Sequence, residues 1–460
     1  MKKPVPNLNE SPFGFDEFFF STTNKRGVIR FGNDVFIRVS DYPKEQMLGA
    51  PHSLIRHPDM PRAVFKLFWD MLKSDKAIGA YVKNLAGNGS YYWVFAFAFP
   101  IEDGYLSIRF KPSSAIFQIV QTIYAEVRSF EQENESVEDS ERLLLEKIKQ
   151  HGFKDYEEFM VKATLAELNS RVLQVNKKIG QNELIQGSGQ LQQIAETTNS
   201  TLSRLNDIFE KVSGFQKSNN VLVETMDCLD KEFLNLKFIS VNMTIAAAKF
   251  GNVASSLGVV SKEFSALSGQ IESNLSGLTS FVQNLVGVIQ QCSFRASALN
   301  SQMLMVDFFV KESILKMQKS ENAFSEMASN QKDFSGLFKD YSIGLQTEVS
   351  LLTKYLVEIE TAMRDVSKFI TGLEVIKQIG AVESARVDEV KQAFIHYLEQ
   401  MDRFIQLLRN ATTSITRETQ SLEANSLLIA STVELVSGSV NAIFELAAKF
   451  GESNNDTLAA

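Results

Sequence analysis

All nine prolines of the chain lie in its first 112 residues, and residues 113–460 contain none. A proline inside a helix removes one backbone hydrogen bond and costs about 3 kcal/mol. A proline-free segment of this length therefore permits helices much longer than those of an average globular domain. Both tryptophans, Trp69 and Trp93, also belong to the first part. The distribution predicts a boundary near residue 112 between two kinds of structure.

The proline-free part repeats apolar or small residues at alternating intervals of three and four, which is the spacing of a coiled-coil seam. One such seam is Leu165, Leu168, Val172, Val175 and Ile179, and a second is Leu191, Ile194, Thr198, Thr201, Leu205, Ile208, Val212 and Phe215. We therefore predict an all-α helical bundle or coiled coil. The polar residues on the second seam weaken its packing, which suits a structure that changes its packing.

The first part reads as a small α+β domain over residues 21–112, after an N-terminal segment 1–20. Aromatic and β-branched runs of strand length occur at "GVIRF", "YYWVFAFAFP" and "YLSIRF", while "AVFKLFWDMLKS" has helical spacing. The Gly-bearing turns "LAGNGSYY" and "IEDGYL" predict hairpins between consecutive strands. The expected order places strands first and last, with helices between them.

Composition and charge limit the cellular compartment and the kinds of partner that we expect for this protein. No apolar run approaches the roughly 18 to 20 residues of a membrane span, and the N-terminus lacks the apolar core of a signal peptide, so we expect a cytoplasmic protein without a membrane span. Residues 1–112 hold 15 Lys and Arg against 11 Asp and Glu, and residues 113–460 hold 32 against 44. The acidic second part argues against binding to nucleic acid. The two cysteines, Cys228 and Cys292, are too distant in sequence to indicate a disulfide framework or a metal site.

Residues 22–110 carry a family resemblance. The run "GNDVFIRVSDYPKEQMLGAPHSLIRHPDMPRAVFKLFWDML", followed by "VKNLAGNGSYYWVFAFAFP" and "YLSIR", closely resembles the PAS sensor domain of bacterial aerotaxis receptors. The motifs "PHxxxRHPDMP" and "VKNxxxNGxxYWV" look characteristic of that subgroup. The family holds FAD non-covalently in the PAS cavity and reads the redox state of the cell. By matching positions, the resemblance implies roles in flavin binding or signalling for Asn33, Arg56, His57, Asp59, Phe65, Trp69, Asn84, Tyr92 and Trp93.

The chemistry of these side chains suits an anionic cofactor with a flat ring. Arg56 could clasp a pyrophosphate and His57 could donate to it, while Asn84 offers both a donor and an acceptor to a flavin edge. The two tryptophans, Trp69 and Trp93, could wall the ring. The sequence has no Gly-rich dinucleotide fingerprint, so any FAD would be bound by this pocket.

Other roles for the same residues stay open. Trp69 and Trp93 could be core aromatics, and Asp59 could be the N-cap of the helix "RAVFKLFWDML". His52 and His57 could instead ligate haem, which makes haem the alternative cofactor. The PAS segment contains no cysteine, which excludes a flavin–cysteine photosensor. We find no kinase ATP site, P-loop or catalytic triad motif, and therefore expect no enzymatic activity.

Residues 236–271, "LKFISVNMTIAAAKFGNVASSLGVVSKEFSALSGQI", resemble a diverged form of the signalling hairpin of methyl-accepting chemotaxis proteins. The resemblance implies a helical hairpin over 163–345 with its tip near 242–258, a homodimer through the helices, and contact with the chemotaxis histidine kinase and its coupling protein. A family glutamate that packs receptor dimers together falls on Ala246. The positions carried over by a gapless match are Asn242, Ala246, Lys249, Gly251, Val259, Val260 and Glu263.

The remaining ranges complete the expected organisation. Residues 113–162 are a helical connector, and residues 346–460 are additional C-terminal helices that either join the bundle or form a second hairpin. The leading hypothesis is a cytoplasmic sensor that reports redox, oxygen or energy state to a chemoreceptor-like output, as in aerotaxis or energy taxis. The alternative is a haem- or small-ligand-binding PAS regulator whose helices are a scaffold for a partner outside chemotaxis.

Overall fold

The computed structural model describes residues 3–176, 189–251, 255–317 and 331–458. The chain divides into two compact units. The first comprises Met1–Phe209, Ser293–Leu345 and Thr432–Ala460, and the second comprises Glu210–Cys292 and Gln346–Ser431.

The first unit contains a five-stranded antiparallel sheet in the order β2-β1-β5-β4-β3. Its strands are β1 (Phe19–Asn24), β2 (Ile29–Gly32), β3 (Ile78–Leu85), β4 (Tyr91–Ile101) and β5 (Gly104–Phe110). Between β2 and β3 lie α1 (Asp34–Ser40), α2 (Lys44–Met47), a 3-10 helix (His52–Ile55) and α3 (Arg62–Lys73). The predicted α+β order and both predicted hairpins, β3 with β4 and β4 with β5, are confirmed.

The long central strand β4 gives the sheet two unlike faces, because successive side chains of a strand point to opposite sides. Ala96 and Ala98 lie on the face that α3 covers, where they leave space above the sheet. Phe97 and Phe99 alternate with them and are fully buried on the other face. The same strand therefore supplies the floor of a cavity and one half of an aromatic core.

Long helices make up the rest of the described chain, as the absence of proline predicts. They are α4 (Ala115–Glu133), α5 (Val137–Gln150), α6 (Tyr156–Asn176), α7 (Gly189–Lys249), α8 (Ser255–Met317), α9 (Gln331–Ser384) and α10 (Asp388–Leu458). Every residue of the second predicted seam, from Leu191 to Phe215, is buried. The first predicted seam is wrong at Val172, which is 43% exposed, because α6 packs against β3 instead of continuing a coiled coil. Ile179 lies outside the described residues.

In the second unit the chain reverses twice. Helix α7 ends at Lys249 and α8 begins at Ser255, and the two helices run antiparallel. Helices α9 and α10 reverse at residues 385–387 and are also antiparallel. The sequence left open whether residues 346–460 join the bundle or form a second hairpin. Helices α9 and α10 do both, since they form a hairpin that packs against α8 and α7. Helix α10 continues into the first unit.

One helix within the described ranges, over Asp388–Lys449, is long and apolar enough to cross a membrane by length and composition alone. Its most apolar window has a mean hydropathy of 1.6, and 33% of that window is buried inside the protein. A core helix of a soluble bundle passes the same test, so this is weak evidence. The expectation of no membrane span stays a prediction.

Candidate functional site

A cavity of about 290 Å³ lies between the sheet and α3 in the first unit. This volume is at the lower end of the range of roughly 300–1,000 Å³ that is usual for ligand sites. Strand residues form its floor, α3 forms one wall, and the segments around β2 and the 3-10 helix close it. The lining residues are Thr23, Arg26, Gly27, Pro51, His52, Ser53, Arg56, Phe65, Phe68, Trp69, Leu72, Val82, Asn84, Ala96, Ala98, Tyr105, Ser107 and Arg109.

Helix α3 presents its aromatic side to this cavity. Phe65 lies beneath the guanidinium of Arg56, with 3.6 Å between the Arg56 Cζ and the ring centroid. Trp69 contacts Tyr105 edge to face at 5.6 Å and lies against the turn at Gly27. Gly27 has a φ of +76°, and a Cβ there would be 2.9 Å from the Trp69 ring, so this turn requires glycine. The turn and the helix together form a flat aromatic wall.

Three polar atoms around the cavity are buried and have no hydrogen-bond partner among the described residues. They are the Nδ2 of Asn84, the Nε of Arg56 and the Oγ of Ser107. A buried polar atom without a partner costs about 1–3 kcal/mol, and most such atoms in proteins are paired. These atoms are therefore available to hydrogen-bond a molecule bound in the cavity.

The cavity is positively charged. Arg26, Arg56 and Arg109 line it, and among the described residues no Asp or Glu does. Burial lowers the pKa of Arg109 to about 10, so that its guanidinium still carries a charge at neutral pH. Arg109 donates to Ser21 Oγ at 3.1 and 3.2 Å. The arrangement favours an anionic ligand or one rich in hydrogen-bond acceptors.

His52 is the histidine that lines the cavity. Its pKa is held well below its usual range by burial and then by the charges of Arg109 and Arg56, so the imidazole is neutral. Its Nε2 lies 2.7 Å from Arg109 Nη2 and accepts that hydrogen bond, because the guanidinium has donors alone. The ring also stacks on Phe36 at 6.0 Å. This hydrogen bond from Arg109 to His52 therefore helps to fix the orientation of the Arg109 guanidinium.

Four of the nine residues that the sequence predicted for cofactor binding line the cavity, namely Arg56, Phe65, Trp69 and Asn84. The structure brings them together on β3, on α3 and in the segment that leads into α3. Backbone pairing between Arg56 and Asn84 holds that segment against the edge strand β3. The other five, Asn33, His57, Asp59, Tyr92 and Trp93, lie outside the lining.

Asn33 and Tyr92 stabilise the domain beside the cavity. The Oδ1 of Asn33 caps α1 by accepting from the Phe36 amide at 3.3 Å, and also accepts from the Phe20 amide at 3.1 Å. Its Nδ2 donates to the Phe18 carbonyl at 2.9 Å. Tyr92 is fully buried, stacks on Phe19 at 5.8 Å, and its hydroxyl is 3.0 Å from Ser40 Oγ. Both residues have satisfied polar groups.

Trp93 lies on the opposite face of the sheet. Its ring contacts Phe117 at 5.4 Å and Tyr124 at 6.3 Å, both on α4. Position 93 alternates with the cavity-facing positions 96 and 98 of the same strand, which places it on the other side. Of the two tryptophans, Trp69 is thus a cavity wall, and Trp93 packs against the connector.

The turn "RHPDMP" divides its residues between the cavity and the surface. His57 is 3% exposed, and its Nδ1 accepts from the Asp59 amide at 3.1 Å. Burial and the nearby charge of Lys83 lower the pKa of His57 to about 4. The Asp59 carboxylate pairs with Lys83 Nζ at 2.6 Å. Arg56 therefore faces the cavity, while His57 and Asp59 hold the turn.

The alternative role of Asp59 as the helix cap of α3 is wrong. The N-cap position is Pro61, which makes no side-chain capping hydrogen bond. The first amides of α3 donate instead to a side chain on another helix. The buried carboxylate of Glu131, on α4, accepts from the Arg62 amide at 2.9 Å and from the Ala63 amide at 3.1 Å. A carboxylate at a helix N-terminus satisfies free amides and interacts favourably with the helix dipole.

A second buried carboxylate joins the sheet to α6. Glu167 accepts from the Tyr81 hydroxyl at 2.8 Å, from the Ser113 amide at 2.7 Å and from the Ser114 hydroxyl at 2.6 Å. The sequence missed Glu131 and Glu167, because the amides of α3 that Glu131 caps and the partners of Glu167 are 50 or more positions away, although Ser140 also donates to Glu131 from nine residues away. It also missed Ser107 and Arg109, although their alternation with Tyr105 on "YLSIR" places all three on one strand face.

The opposite face of the sheet packs against helices α8 and α9 within the first unit. Phe20 contacts Phe309 at 4.9 Å, and Phe97 contacts Phe294 at 5.5 Å. Phe99 meets Tyr341 edge to face at 5.4 Å. The sheet is thus the layer shared by the cavity and these helices.

The predicted signalling residues lie beside the α7–α8 reversal in the second unit. Asn242, Lys249, Val259 and Glu263 are exposed, Ala246 is half-buried and Val260 is buried in the bundle. Gly251 has a φ of +54°, which is the left-handed conformation that ends many helices. The reversal falls inside the predicted tip range of 242–258.

Comparison with known proteins identifies the family of the first domain. The PAS fold family matches residues 29–107. The aerotaxis receptor of Escherichia coli (strain K12) is 36% identical over 126 residues, which cover 26% of this chain. The chain spans about a quarter of that receptor's length (25%). Residues 29–107 thus form a PAS domain that is followed by a long helical region, as the sequence predicted.

Proposed function

We propose that the protein is a signal-transduction sensor for aerotaxis or energy taxis whose PAS domain binds FAD. The main support is a positively charged cavity with an aromatic wall. Around it, Asn84, Arg56 and Ser107 each have a buried polar atom without a hydrogen-bond partner among the described residues. The similarity of 126 residues of the chain to the aerotaxis receptor supports the same proposal.

The donor set fits a flavin. The edge of an isoalloxazine ring presents carbonyl oxygens and ring nitrogens, to which Asn84 and Ser107 would donate. Trp69 and Phe65 would contact the ring face. Arg56 or Arg26 would neutralise the pyrophosphate through their guanidinium groups, which match phosphate geometry. When bound, FAD supplies a group whose charge and hydrogen bonding depend on its redox state.

The protein's own residues would carry such a change to the helices. Asn84 and Ser107 belong to strands of the sheet whose opposite face packs on Phe294, Phe309 and Tyr341. A shift of the sheet by a ligand contact would alter this aromatic packing, because a close-packed core transmits strain. A difference of a few kcal/mol between two states is enough to shift their populations.

The output would be the helical region in the cytoplasm. The exposed residues beside the α7–α8 reversal, with Asn242, Lys249 and Glu263 among them, are the proposed contact with the chemotaxis histidine kinase and its coupling protein. The resemblance of residues 236–271 to the chemoreceptor hairpin supports this. Specific capture of both proteins by the full chain, lost on Asn242→Arg, is the expected result. Equal capture by the variant would remove this contact.

The alternative is a PAS domain that binds haem or another small ligand and reports to a different partner. His52 is the cavity histidine it would use, but its Nε2 already accepts from Arg109. An absorption spectrum of the purified full-length chain, before and after reconstitution with FAD, decides between the two. We expect a flavin spectrum at close to one FAD per chain. A haem Soret band, or no bound chromophore after reconstitution, would overturn the flavin assignment.

A further inference from the structure

We infer that the second hairpin, α9 with α10, takes the place of a partner chain, so that one copy of this protein builds a complete four-helix bundle. The homodimer expected from the resemblance assumes instead that each chain supplies one hairpin. The inference concerns the second unit alone, residues 210–292 and 346–431, and does not depend on which ligand the PAS domain binds.

The first hairpin is held by polar contacts between antiparallel helices. Lys237 on α7 pairs with Glu272 on α8, and Thr279 Oγ1 on α8 lies 3.4 Å from the carboxylate of Asp230 on α7. Both pairs are placed symmetrically about the reversal that follows Lys249. Residues 230–249 and 255–279 therefore form the two arms of one antiparallel helical hairpin.

The second hairpin has the same construction around its own reversal at residues 385–387. Lys377 on α9 pairs with Asp402 on α10, and Glu374 pairs with Arg409 farther from the turn. A Cβ at Gly380 would lie 3.1 Å from Leu398, so the two helices approach closely beside the turn. The chain thus carries two hairpins of the same antiparallel design.

The hairpins pack with both reversals at one end of the bundle. Ser256, the second residue of α8, donates to Glu383, at the end of α9, at 2.7 Å. A Cβ at Gly372 would lie 3.0 Å from a methyl of Leu267. Farther along, Ser218 on α7 donates to Glu418 on α10 at 2.8 Å. Helix α8 therefore contacts α9, and α7 contacts α10, along the length of the unit.

All four helices of the second unit surround one hydrophobic core. Each contributes side chains with 2% exposure or less at seam spacing, which include Leu229 on α7, Leu278 on α8, Ile359 on α9 and Ile405 on α10. Two helices alone cannot surround such a seam, and four-helix bundles bury it from every side. A second copy of the first hairpin would enter this core only by displacing α9 and α10.

Thiol crosslinking in the full-length chain tests the inference. In a background with Cys228→Ala and Cys292→Ala, a short bismaleimide crosslinker is applied to the pair Ser256→Cys and Glu383→Cys. The expected product is a crosslinked single chain at every protein concentration. The matched control, Ser256→Cys with Val382→Cys, uses the neighbouring outward residue, which is 64% exposed, and should react at least tenfold more slowly.

A mixing experiment distinguishes a bundle built by one chain from a bundle shared by two chains. Chains that carry Ser256→Cys alone are refolded together with chains that carry Glu383→Cys alone. No covalent dimer is expected from the mixture. Covalent dimers from the mixture, with no crosslinked monomer from the double variant, would overturn the inference. The independent pair Leu267→Cys and Gly372→Cys repeats both arms in case the first pair perturbs folding.

Discussion

The two faces of the PAS sheet are built from alternate residues of the same strands, yet one face borders a cavity and the other is closely packed. Towards α3, β4 and β5 present Ala96, Ala98 and Ser107 and leave about 290 Å³ of space. Towards α8 and α9, the sheet presents phenylalanines that are fully buried against other aromatic rings, such as Phe97 and Phe99.

Particular polar groups on the two sides also differ. Glu167, reaching the sheet from α6, has its carboxylate satisfied by Tyr81, Ser113 and Ser114. On the cavity side, Asn84, Arg56 and Ser107 each keep a buried polar atom without a partner among the described residues. Buried polar atoms without a partner also occur elsewhere in the described part of the chain, such as the Tyr124 hydroxyl and the Arg171 Nε. The feature that points to a ligand is therefore the grouping of three such atoms around one positively charged cavity.

The largest effect on stability is expected from Phe309→Ala, on the packed side. Phe309 is 1% exposed and contacts Phe20, Phe31 and Phe334. Its truncation should lower the free energy of unfolding of the first unit by about 3–5 kcal/mol. Urea unfolding followed by fluorescence measures this loss.

Leu315→Ala is the matched control for Phe309→Ala. Leu315 lies on the same helix and is 61% exposed, so its truncation should change the free energy of unfolding by less than about 0.5 kcal/mol. Equal losses for the two variants would mean that the aromatic face does not hold the sheet to α8.

Filling the cavity should separate binding from stability. Ala98→Phe adds a ring above the floor, where the space can hold it, so the free energy of unfolding of the apo protein should change by less than about 1 kcal/mol. FAD affinity should fall by at least about a hundredfold, because the ring would occupy the ligand's position. Unchanged FAD affinity in a folded variant would place the flavin elsewhere.

Acid should weaken the domain through its buried histidines. The pKa of His57 in the folded state is about 4, lowered by burial and by Lys83 and Lys3 and raised in part by Asp59. The unfolded chain, with an ordinary histidine pKa near 6.5, binds more protons between these values, so stability falls as the pH drops from about 6.5 to 4. His52, whose pKa is also lowered, adds to this loss.

Urea unfolding at pH 7 and pH 5 measures the acid effect. His57→Gln should reduce the loss between the two pH values by about 1 kcal/mol, after allowance for solvent screening beside exposed Asp59. An identical loss in the variant would show that His57 keeps an ordinary pKa in the folded protein.

The smallest effect is expected from Ser107→Ala, whose hydroxyl has no partner in the structure. The free energy of unfolding of the apo protein should change by less than about 0.5 kcal/mol. Ser114→Ala is its counterpart on the satisfied side, since that hydroxyl donates to Glu167 at 2.6 Å, and should cost about 1–2 kcal/mol. Equal costs would contradict the contrast between the two kinds of serine.

Local patterns predicted the elements and part of the cavity. Strand alternation, helical spacing and Gly turns are decided within a few residues, so β2, β4, β5, α3 and both hairpins followed from the sequence, whereas β1 (Phe19–Asn24) was not predicted. Arg56, Phe65, Trp69 and Asn84 were found through the resemblance of this segment to the PAS domain of aerotaxis receptors. Their neighbours in the same motifs, His57 and Trp93, point elsewhere because adjacent residues of a strand or turn face different sides.

Features that depend on contacts between distant residues could not be predicted from the sequence. Glu131 caps α3 from a helix about 70 residues later, and its local sequence is that of an ordinary charged helix. The second hairpin was left open because seam spacing predicts a helix without naming its partner. Both are decided by tertiary packing.

The most direct test of the account is an equilibrium titration of the apo wild-type chain and of Asn84→Leu with FAD, followed by the flavin spectrum. The account predicts that wild type binds one FAD and that Asn84→Leu binds at least tenfold more weakly. The variant should show no loss of apo stability, because the removed donor, Asn84 Nδ2, has no hydrogen-bond partner among the residues that the structure describes. Absence of binding by wild type, or equal affinity in the two proteins, would contradict it.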